Sequence, residues 1–455
     1  MIGIPMNFIT DKFDKTKNLF KSNRKLNFLI VVIILVIIIL VINKFVFIME
    51  WADWTGFGSY KIIRIDNNNQ SIEEEIHYRT LFDWIGIVLI PIIVAIIAYL
   101  FNKSVKENEL KIAKDRFENE QKVSLNRQRE ETLQNYIDNI SELLLDKSIH
   151  DNSNENDLVA IIRARTISTI FSLDSRRINI LLNFLREMNL IGIKNQYIKF
   201  SNANFGNLKV REVDFNSIYF ENTDFSKSEF IHCNLNNTDL VKAIFINSKL
   251  NGSELTNVNI SFGTIDKSEL NFVRMGESDF SQTKISNSML SNSYYKNCDF
   301  TQSHISKNKA KDSIFEKCKF NGVDLEDNDF EDNTLNNSIF TGAYISSTIF
   351  KRTKMDNTII NKSNISKCDF SYSSFIGAKI CDSFLEDSNF SFVNFSNADF
   401  TNTDLTGSDL SSSNLKNCIV SYQQMSKAIS IDGATLPDGS VFHGKPEDLL
   451  LLAKS

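Results

Sequence analysis

Large apolar residues recur at every fifth position of this chain from Phe200 to Met425, about 46 times without an insertion or a deletion. A period of five matches neither an α-helix nor an ordinary strand. Two residues before each large residue the side chain is mostly small, as at Ala203, Ser228 and Cys233. Residues two apart on an extended backbone point to the same side, so the small and the large residue are both expected to face inward. The other three positions carry mainly Asn, Asp, Lys, Ser and Glu and are expected to face water.

Five residues therefore predict one short side with one large and one small inward side chain, and four such sides are the natural closure of a coil. Residues of the same type do recur at that interval, as in Phe280, Phe300, Phe320 and Phe340. About 46 sides would give about 11 coils over residues 198–426, stacked at about 4.8 Å. The predicted fold is mostly β, a solenoid whose coils are stable only when stacked.

Several of these five-residue units resemble the pattern A(D/N)LXX of the pentapeptide-repeat family. The best matches begin at Ala203, Ala398, Thr403, Ser408 and Ser413. The resemblance implies a right-handed quadrilateral β-helix, and the hand comes from the resemblance alone. The region between Arg127 and Leu185 is similar to the helical region that precedes the repeats in membrane-anchored bacterial proteins of this family.

Two apolar runs near the amino terminus predict two transmembrane helices, at residues 26–49 and 81–101. The first run is too long for a cleavable signal peptide and no small-residue cleavage site follows it. Basic residues are concentrated in the tail at 1–25 and after the second run, whereas the polar segment at 50–80 is poor in them. The positive-inside rule then predicts a multi-pass protein of the cell (inner or plasma) membrane, with both termini and the β-helix in the cytoplasm.

Residues 102–192 predict a helical stalk followed by a cap on the first coil, since an open solenoid end would expose strand edges. Helices are expected at about 158–171 and 176–190, the second capped by Asp174 or Ser175 and ended by Gly192. Residues 102–150 either form a homo-oligomeric coiled coil or remain a solvated stalk. Residues 427–455 are expected to form a carboxyl-terminal cap and tail, with a turn at 436–439.

Composition adds little chemistry. The 455 residues have a net charge of −6 and six cysteines. Five cysteines occupy the small inward position, which predicts buried thiols rather than disulfides or zinc ligands: Cys233, Cys298, Cys318, Cys368 and Cys418. The sequence contains no nucleophile motif, phosphate-binding loop or metal-ligand spacing. It therefore predicts no catalytic, cofactor-binding or metal-binding residue, and no enzyme.

One charge run offers a candidate interaction patch, in which lysines are followed by acidic residues at outward positions. Its members are Lys307, Lys309, Lys311, Lys317, Lys319, Asp324, Glu326, Asp327, Asp329, Glu331 and Asp332. The alternative is an ordinary solvated surface.

These features favour a non-catalytic protein-interaction or scaffold module, with an unknown protein and the lipid bilayer as partners and no nucleic acid. One alternative is an oligomeric channel or sensor formed by the two spans. Another is an acidic DNA mimic that inhibits a nucleic-acid enzyme, as in some relatives of the pentapeptide-repeat family. About 28 acidic against about 22 basic residues between 199 and 425 is a weak bias for such mimicry.

Overall fold

The computed structural model describes residues 60–65, 71–76, 81–145, 155–192 and 197–452. The predicted tail at 1–25 and the first predicted span at 26–49 lie outside these residues. The chain forms two compact units, residues 1–120 and residues 121–455. Each unit is described by itself below.

The first unit contains a β-hairpin where the sequence predicted only a polar loop. Strands β1 (Tyr60–Ile65) and β2 (Ser71–Ile76) pair antiparallel, with Tyr60 opposite Ile76 and Ile65 opposite Ser71. Helix α1 begins at Leu81 and continues to Leu145 without a break at the predicted boundary between residues 101 and 102. Among the described residues, no helix has both the length and the apolar character needed to cross a membrane.

In the second unit, the last turns of α1 are followed by α2 (Glu155–Ser172) and α3 (Ser175–Glu187). Asp174 caps α3 by accepting a hydrogen bond from the backbone of Arg177 at 3.1 Å. The helix ends before Gly192 because Asn189 adopts a left-handed φ of 55°, after which the Leu190 N–H bonds back to the carbonyl of Leu185.

The remaining chain forms a parallel β-solenoid. Its short strands, β3 to β15 in chain order, are Lys209–Arg211, Glu229–Ile231, Ile244–Ile246, Thr264–Asp266, Arg274–Gly276, Lys284–Ser286, Tyr294–Lys296, His304–Ser306, Ile314–Glu316, Asp324–Glu326, Tyr344–Ser346, Asn364–Ser366 and Phe384–Glu386. Each pairs in parallel with residues 20 positions away, as Ile305 does with Ile285 and with Leu325. Single bridges of the same spacing join the other sides.

The spacing defines four sides in each coil, as predicted. In one coil, side 1 is centred on Leu325, side 2 on Phe330, side 3 on Leu335 and side 4 on Phe340. Side 1 carries the largest sheet, which has eight strands and is extended by single bridges to Asn204 and to Asp404. Fully formed strands therefore occupy eight levels of side 1, fewer than the predicted 11 coils, because the end levels are held by single bridges. The right hand of the coil stays a prediction.

Burial confirms the predicted register. The large residues at every fifth position are almost fully buried, for example Phe320 and Phe340, and the small residues two positions earlier lie beside them. Small hydroxyls complete the ladder: Ser253 Oγ donates to the carbonyl of Phe230 at 3.0 Å and accepts from the N–H of Cys233 at 3.1 Å. The five inward cysteines are buried free thiols, as predicted.

The residue two positions after each large residue forms a corner. We number the corners from the same coil: corner 1 holds Asp327, corner 2 Asp332, corner 3 Asn337 and corner 4 Gly342. Nearly all corner residues adopt a left-handed backbone, with φ of 54° at Asp327 and 61° at Asn337. Asn, Asp and Gly tolerate this conformation best, which explains their frequency there.

Helical side chains close the amino-terminal end of the solenoid. Arg163 donates to the carbonyls of Lys199, at 2.8 Å, and of Ser201. Arg186 donates to the carbonyl of Asp214 at 2.7 Å. In later coils the corresponding carbonyls accept from the coil before, as Tyr219 accepts from Phe200. The two guanidinium groups therefore take the place of a preceding coil at this end of the solenoid.

At the other end, the ladder continues beyond the predicted limit of residue 426. Helix α4 (Tyr422–Met425) inserts one residue, so that Asp409 pairs with Ser430 and Asn414 with Thr435. The Gly439 N–H bonds to the Leu436 carbonyl at 2.9 Å and closes the predicted turn. A 3₁₀ turn (Pro446–Asp448) and α5 (Leu449–Leu452) follow.

Candidate interaction surface

The structure distributes the predicted charged patch around the solenoid. Asp324 and Glu326 lie on side 1, Lys307 and Asp327 at corner 1, Lys309, Lys311, Asp329 and Glu331 on side 2, Asp332 at corner 2, Lys317 at corner 3, and Lys319 on side 4. The chain turns a corner every five residues, so charged residues that follow one another in the sequence lie on different sides of the coil. The eleven residues therefore do not form one surface.

Some of these charges do meet, in a network around corner 2. Lys311 Nζ lies 3.1 Å from Asp329 Oδ2 and 2.6 Å from Glu331 Oε2. Arg352 contacts Glu331 at 2.8 Å and binds Asp332 through two nitrogens at 2.7 Å each. The hydrogen bond from Lys311 lowers the pKa of Glu331, and the bond from Arg352 lowers the pKa of Asp332. The network holds both carboxylates ionised on an otherwise hydrated corner.

Arg352 was absent from the predicted patch although it is the residue that joins Glu331 to Asp332. It stands 20 positions after Asp332 and so occupies the same corner in the next coil. Reading the charged residues in columns of 20, rather than along the chain, would have found it.

Exposed aromatic residues form a second feature, and the sequence analysis missed it. Phe272, Tyr372 and Phe392 all stand at corner 2, and Phe262 stands at corner 4, each with φ between 59° and 61°. Tyr372 is 56% exposed and Phe392 is 52% exposed. Bulky residues rarely adopt this backbone conformation, and a ring that is half exposed gains little hydrophobic stabilisation. The column of residues two positions after each large residue, read in steps of five, would have revealed them.

Tyr372 and Phe392 stack on each other along the corner. Their ring centroids are 4.8 Å apart and the rings are within 2° of parallel. Lys351 Nζ lies 5.9 Å from the centroid of the Tyr372 ring, at cation–π distance. The next residue on this corner is Ser412, which is too small to cover the ring of Phe392. We call Lys351, Tyr372 and Phe392 the aromatic corner.

The solenoid interior offers little room for a ligand. A cavity of about 10 Å³ lies among apolar side chains, including Leu290, Tyr295 and Phe315, which is space for about one water molecule. Burial raises the pKa of Cys233 to about 11 and that of Cys368 to about 12, so these thiols are poor nucleophiles. Among the described residues, no group of three or more His, Cys, Asp or Glu side chains could hold a metal ion.

The coil geometry defines a class of protein, the four-sided parallel β-solenoid with five-residue sides. The family model described as "Pentapeptide repeats" matches residues 198–236, 223–261 and 385–421. The matched residues of the solenoid therefore carry pentapeptide repeats, as the resemblance predicted. Members of this family are generally non-catalytic repeat proteins.

Solved structures similar to this chain include HetL, a pentapeptide-repeat protein involved in heterocyst differentiation regulation in the cyanobacterium Nostoc. It has 16% identity and a TM-score of 0.18, with 52% of this chain and 93% of that chain covered. QnrB1, a plasmid-mediated fluoroquinolone resistance protein, has 15% identity and a TM-score of 0.17, with 56% and 98% covered.

A polysaccharide lyase from the human gut microbiota has 9% identity and a TM-score of 0.24, with 54% and 82% covered. Scores this low assign no function. None of the curated protein sequences matches this chain.

Proposed function

We propose that this protein is a non-catalytic protein-interaction module whose docking surface is the aromatic corner. The observation that carries the proposal is the placement of Tyr372 and Phe392 in left-handed corner positions with half of each ring exposed. Such residues are disfavoured twice, by the backbone conformation and by contact with water. Many other corners carry Asn, so the two aromatic residues are expected to contribute to binding rather than to the stability of the fold.

The chemistry of the corner fits a protein segment with an apolar or aromatic anchor. Such an anchor would extend the ring stack over Ser412, and a carbonyl group further along the same segment would meet the ammonium of Lys351 beside Tyr372. Aromatic residues are enriched where binding energy is concentrated in protein interfaces. Side 2 carries Lys209, Glu229, Lys249 and Glu269 in alternation, which disfavours the continuous negative surface that a DNA mimic needs.

The test compares two variants of the full-length tagged protein. Tyr372→Asn with Phe392→Asn removes both rings and introduces a residue that the corner tolerates. Phe272→Asn makes the same change on the same corner, five coils away. We expect the double variant to lose at least about tenfold in recovery of its specific partner, while Phe272→Asn retains it. Equal recovery by the wild type and the double variant would refute the docking site.

We further propose that residues 26–49 and 81–101 tether the module to the cell membrane, with both termini in the cytoplasm. The long apolar runs and the distribution of Lys and Arg in the sequence support this proposal. We also propose that the protein is bacterial, as the resemblance implies. Asn69→Cys should react with an impermeant thiol reagent in intact cells, and Ser22→Cys only after permeabilisation. The reverse result would invert the topology, and release of the protein by alkaline extraction would contradict the tether.

A further inference from the structure

Side 1 and the two corners that flank it are divided by charge along their length. We call this strip, from residue 202 to residue 407 at corner 4, side 1 and corner 1, the side-1 surface. Its amino-terminal half carries five lysines against Asp224 and Asp266, namely Lys227, Lys242, Lys267, Lys284 and Lys307. Its carboxyl-terminal half carries seven acidic residues against Lys362 and Lys367, namely Asp324, Glu326, Asp327, Asp382, Glu386, Asp387 and Asp404. The change of sign falls between two consecutive coils.

Both halves of the side-1 surface also expose apolar side chains. Phe262 is 52% exposed in the basic half, next to the half-buried Ile244 and Ile246. Tyr344 is 63% exposed and Phe384 is 52% exposed in the acidic half. The eight-stranded sheet beneath them is the longest regular sheet in the solenoid. The surface therefore combines a straight sheet, apolar groups and separated charges, which are the ingredients of a protein interface.

We propose that the side-1 surface binds a second copy of this chain in antiparallel orientation. A two-fold axis across the strip, between the levels of His304 and Asp324, places the basic half of each copy on the acidic half of the other. A parallel arrangement would place like charges together. A separate basic partner would complement only one half, whereas a second copy complements both with one self-complementary surface.

The coil spacing predicts the contacts. A two-fold axis in the plane of the interface brings each corner of the strip onto the same corner of the partner copy. Lys242 then lies opposite Asp382, and Lys307 lies opposite Asp327. Ile244 meets Phe384, and Lys284 meets the ring of Tyr344. Like charges meet at two places: Lys267 faces Lys367, and Asp224 faces Asp404, which Lys427 already contacts at 3.3 Å.

The dimensions predict a reversible dimer. Ten steps of about 4.8 Å give a strip about 48 Å long, and three extended residues make it about 10 Å wide. The two copies together would bury about 1,000 Å², near the lower limit for a specific interface. Because much of the complementarity is ionic and exposed, dimerisation should weaken as salt is raised.

Exchange of one charge pair tests the orientation in the detergent-purified full-length protein. Lys242 and Asp382 are seven coils apart in one chain, so they can meet only between copies. We expect Lys242→Glu and Asp382→Lys each to raise the dimer dissociation constant about tenfold, since each removes two contacts per dimer. An equimolar mixture of the two variants should form heterodimers with nearly wild-type affinity. Lys354→Glu, on side 3, should change nothing.

Cross-linking tests the register without depending on affinity. In a Cys381→Ser background, Ile244→Cys and Phe384→Cys are purified separately and treated with a short bifunctional thiol reagent. The mixture should give cross-linked dimers, and each variant alone should give few. Equal cross-linking in all three samples, or a mixture of charge variants no tighter than either variant alone, would overturn the proposal. Neither outcome bears on the aromatic corner, which lies on a different part of the solenoid.

Discussion

Phe390 and Phe392 are two residues apart, and each belongs to an aromatic stack with the coil before it. The ring centroids of Phe390 and Phe370 are 5.0 Å apart, and Phe390 is 1% exposed. The ring centroids of Phe392 and Tyr372 are 4.8 Å apart, but Phe392 is 52% exposed. The spacing of the coils imposes almost the same stack inside and outside. The difference is that the inner ring fills the core and the outer ring does not. Stacking geometry therefore does not reveal whether an aromatic residue serves the fold or a partner.

The largest expected effect comes from removing the inner ring. Phe390→Ala should lower the free energy of unfolding by about 3–5 kcal/mol, because it leaves a cavity in a packed column. Phe392→Ala should lower it by about 1 kcal/mol or less, since only an exposed stack is lost. Chemical denaturation of the two variants measures both values. Similar losses at the two positions would refute the assignment of inner and outer roles.

The second test reverses the preferred replacement at the two positions. At Phe392, Val should be less stable than Asn by about 1–2 kcal/mol, because a β-branched residue is strained at the left-handed φ of 59°. At Phe390, Asn should be less stable than Val by a similar amount or more, because a buried amide would lack partners. Melting temperatures of the four variants decide the order. The same order at both positions would mean that backbone strain does not select the corner residue.

This comparison also marks what the sequence could predict. The five-residue spacing identified Phe390 as inward because one large and one small residue must face the core on every side. The same spacing placed Phe392 among the polar outward positions. It treated the three outward positions of each unit as equivalent, although one of them is a left-handed corner and the other two flank the large residue on a strand. The backbone at Asn337, with φ of 61°, explains why that one position has a preference of its own.

Other features depended on contacts that no local pattern encodes. The patch from Lys307 to Asp332 divides among several sides because the chain turns every five residues. The extra residue inserted at α4 shifts the final pairs, such as Asp409 with Ser430, and carries the ladder past residue 426. The capping roles of Arg163 and Arg186 required the carbonyls that α2 and α3 face. The hairpin at Tyr60–Ile76 alternates too weakly to be separated from a polar loop.

The third prediction concerns the ionic part of corner 2, near the aromatic corner. Glu331 and Asp332 have lowered pKa values in the folded protein, so their contribution to stability is present above their ordinary pKa values. It is lost as the pH falls through the lowered values. Arg352→Ala should therefore reduce stability slightly at pH 7, and the difference from wild type should shrink below about pH 4. Arg352→Lys cannot bind Asp332 through two nitrogens, so its stability should lie between those of the wild type and Arg352→Ala. A difference independent of pH would exclude the carboxylates as its cause.

The last test returns to the core, at an inward aromatic residue with a polar group. The Tyr295 hydroxyl is buried without a hydrogen bond of good geometry, although Ser293 interacts with it, and the ring centroid lies 4.4 Å from that of Phe315. Tyr295→Phe keeps the ring and removes a poorly satisfied buried hydroxyl, so it should raise the free energy of unfolding by about 1 kcal/mol. Tyr372→Phe is the matched outer control and should change stability by less, because water already satisfies an exposed hydroxyl. Destabilisation by Tyr295→Phe would mean that the hydroxyl is hydrogen-bonded in the core, either to Ser293 or to a water in the small cavity beside Leu290.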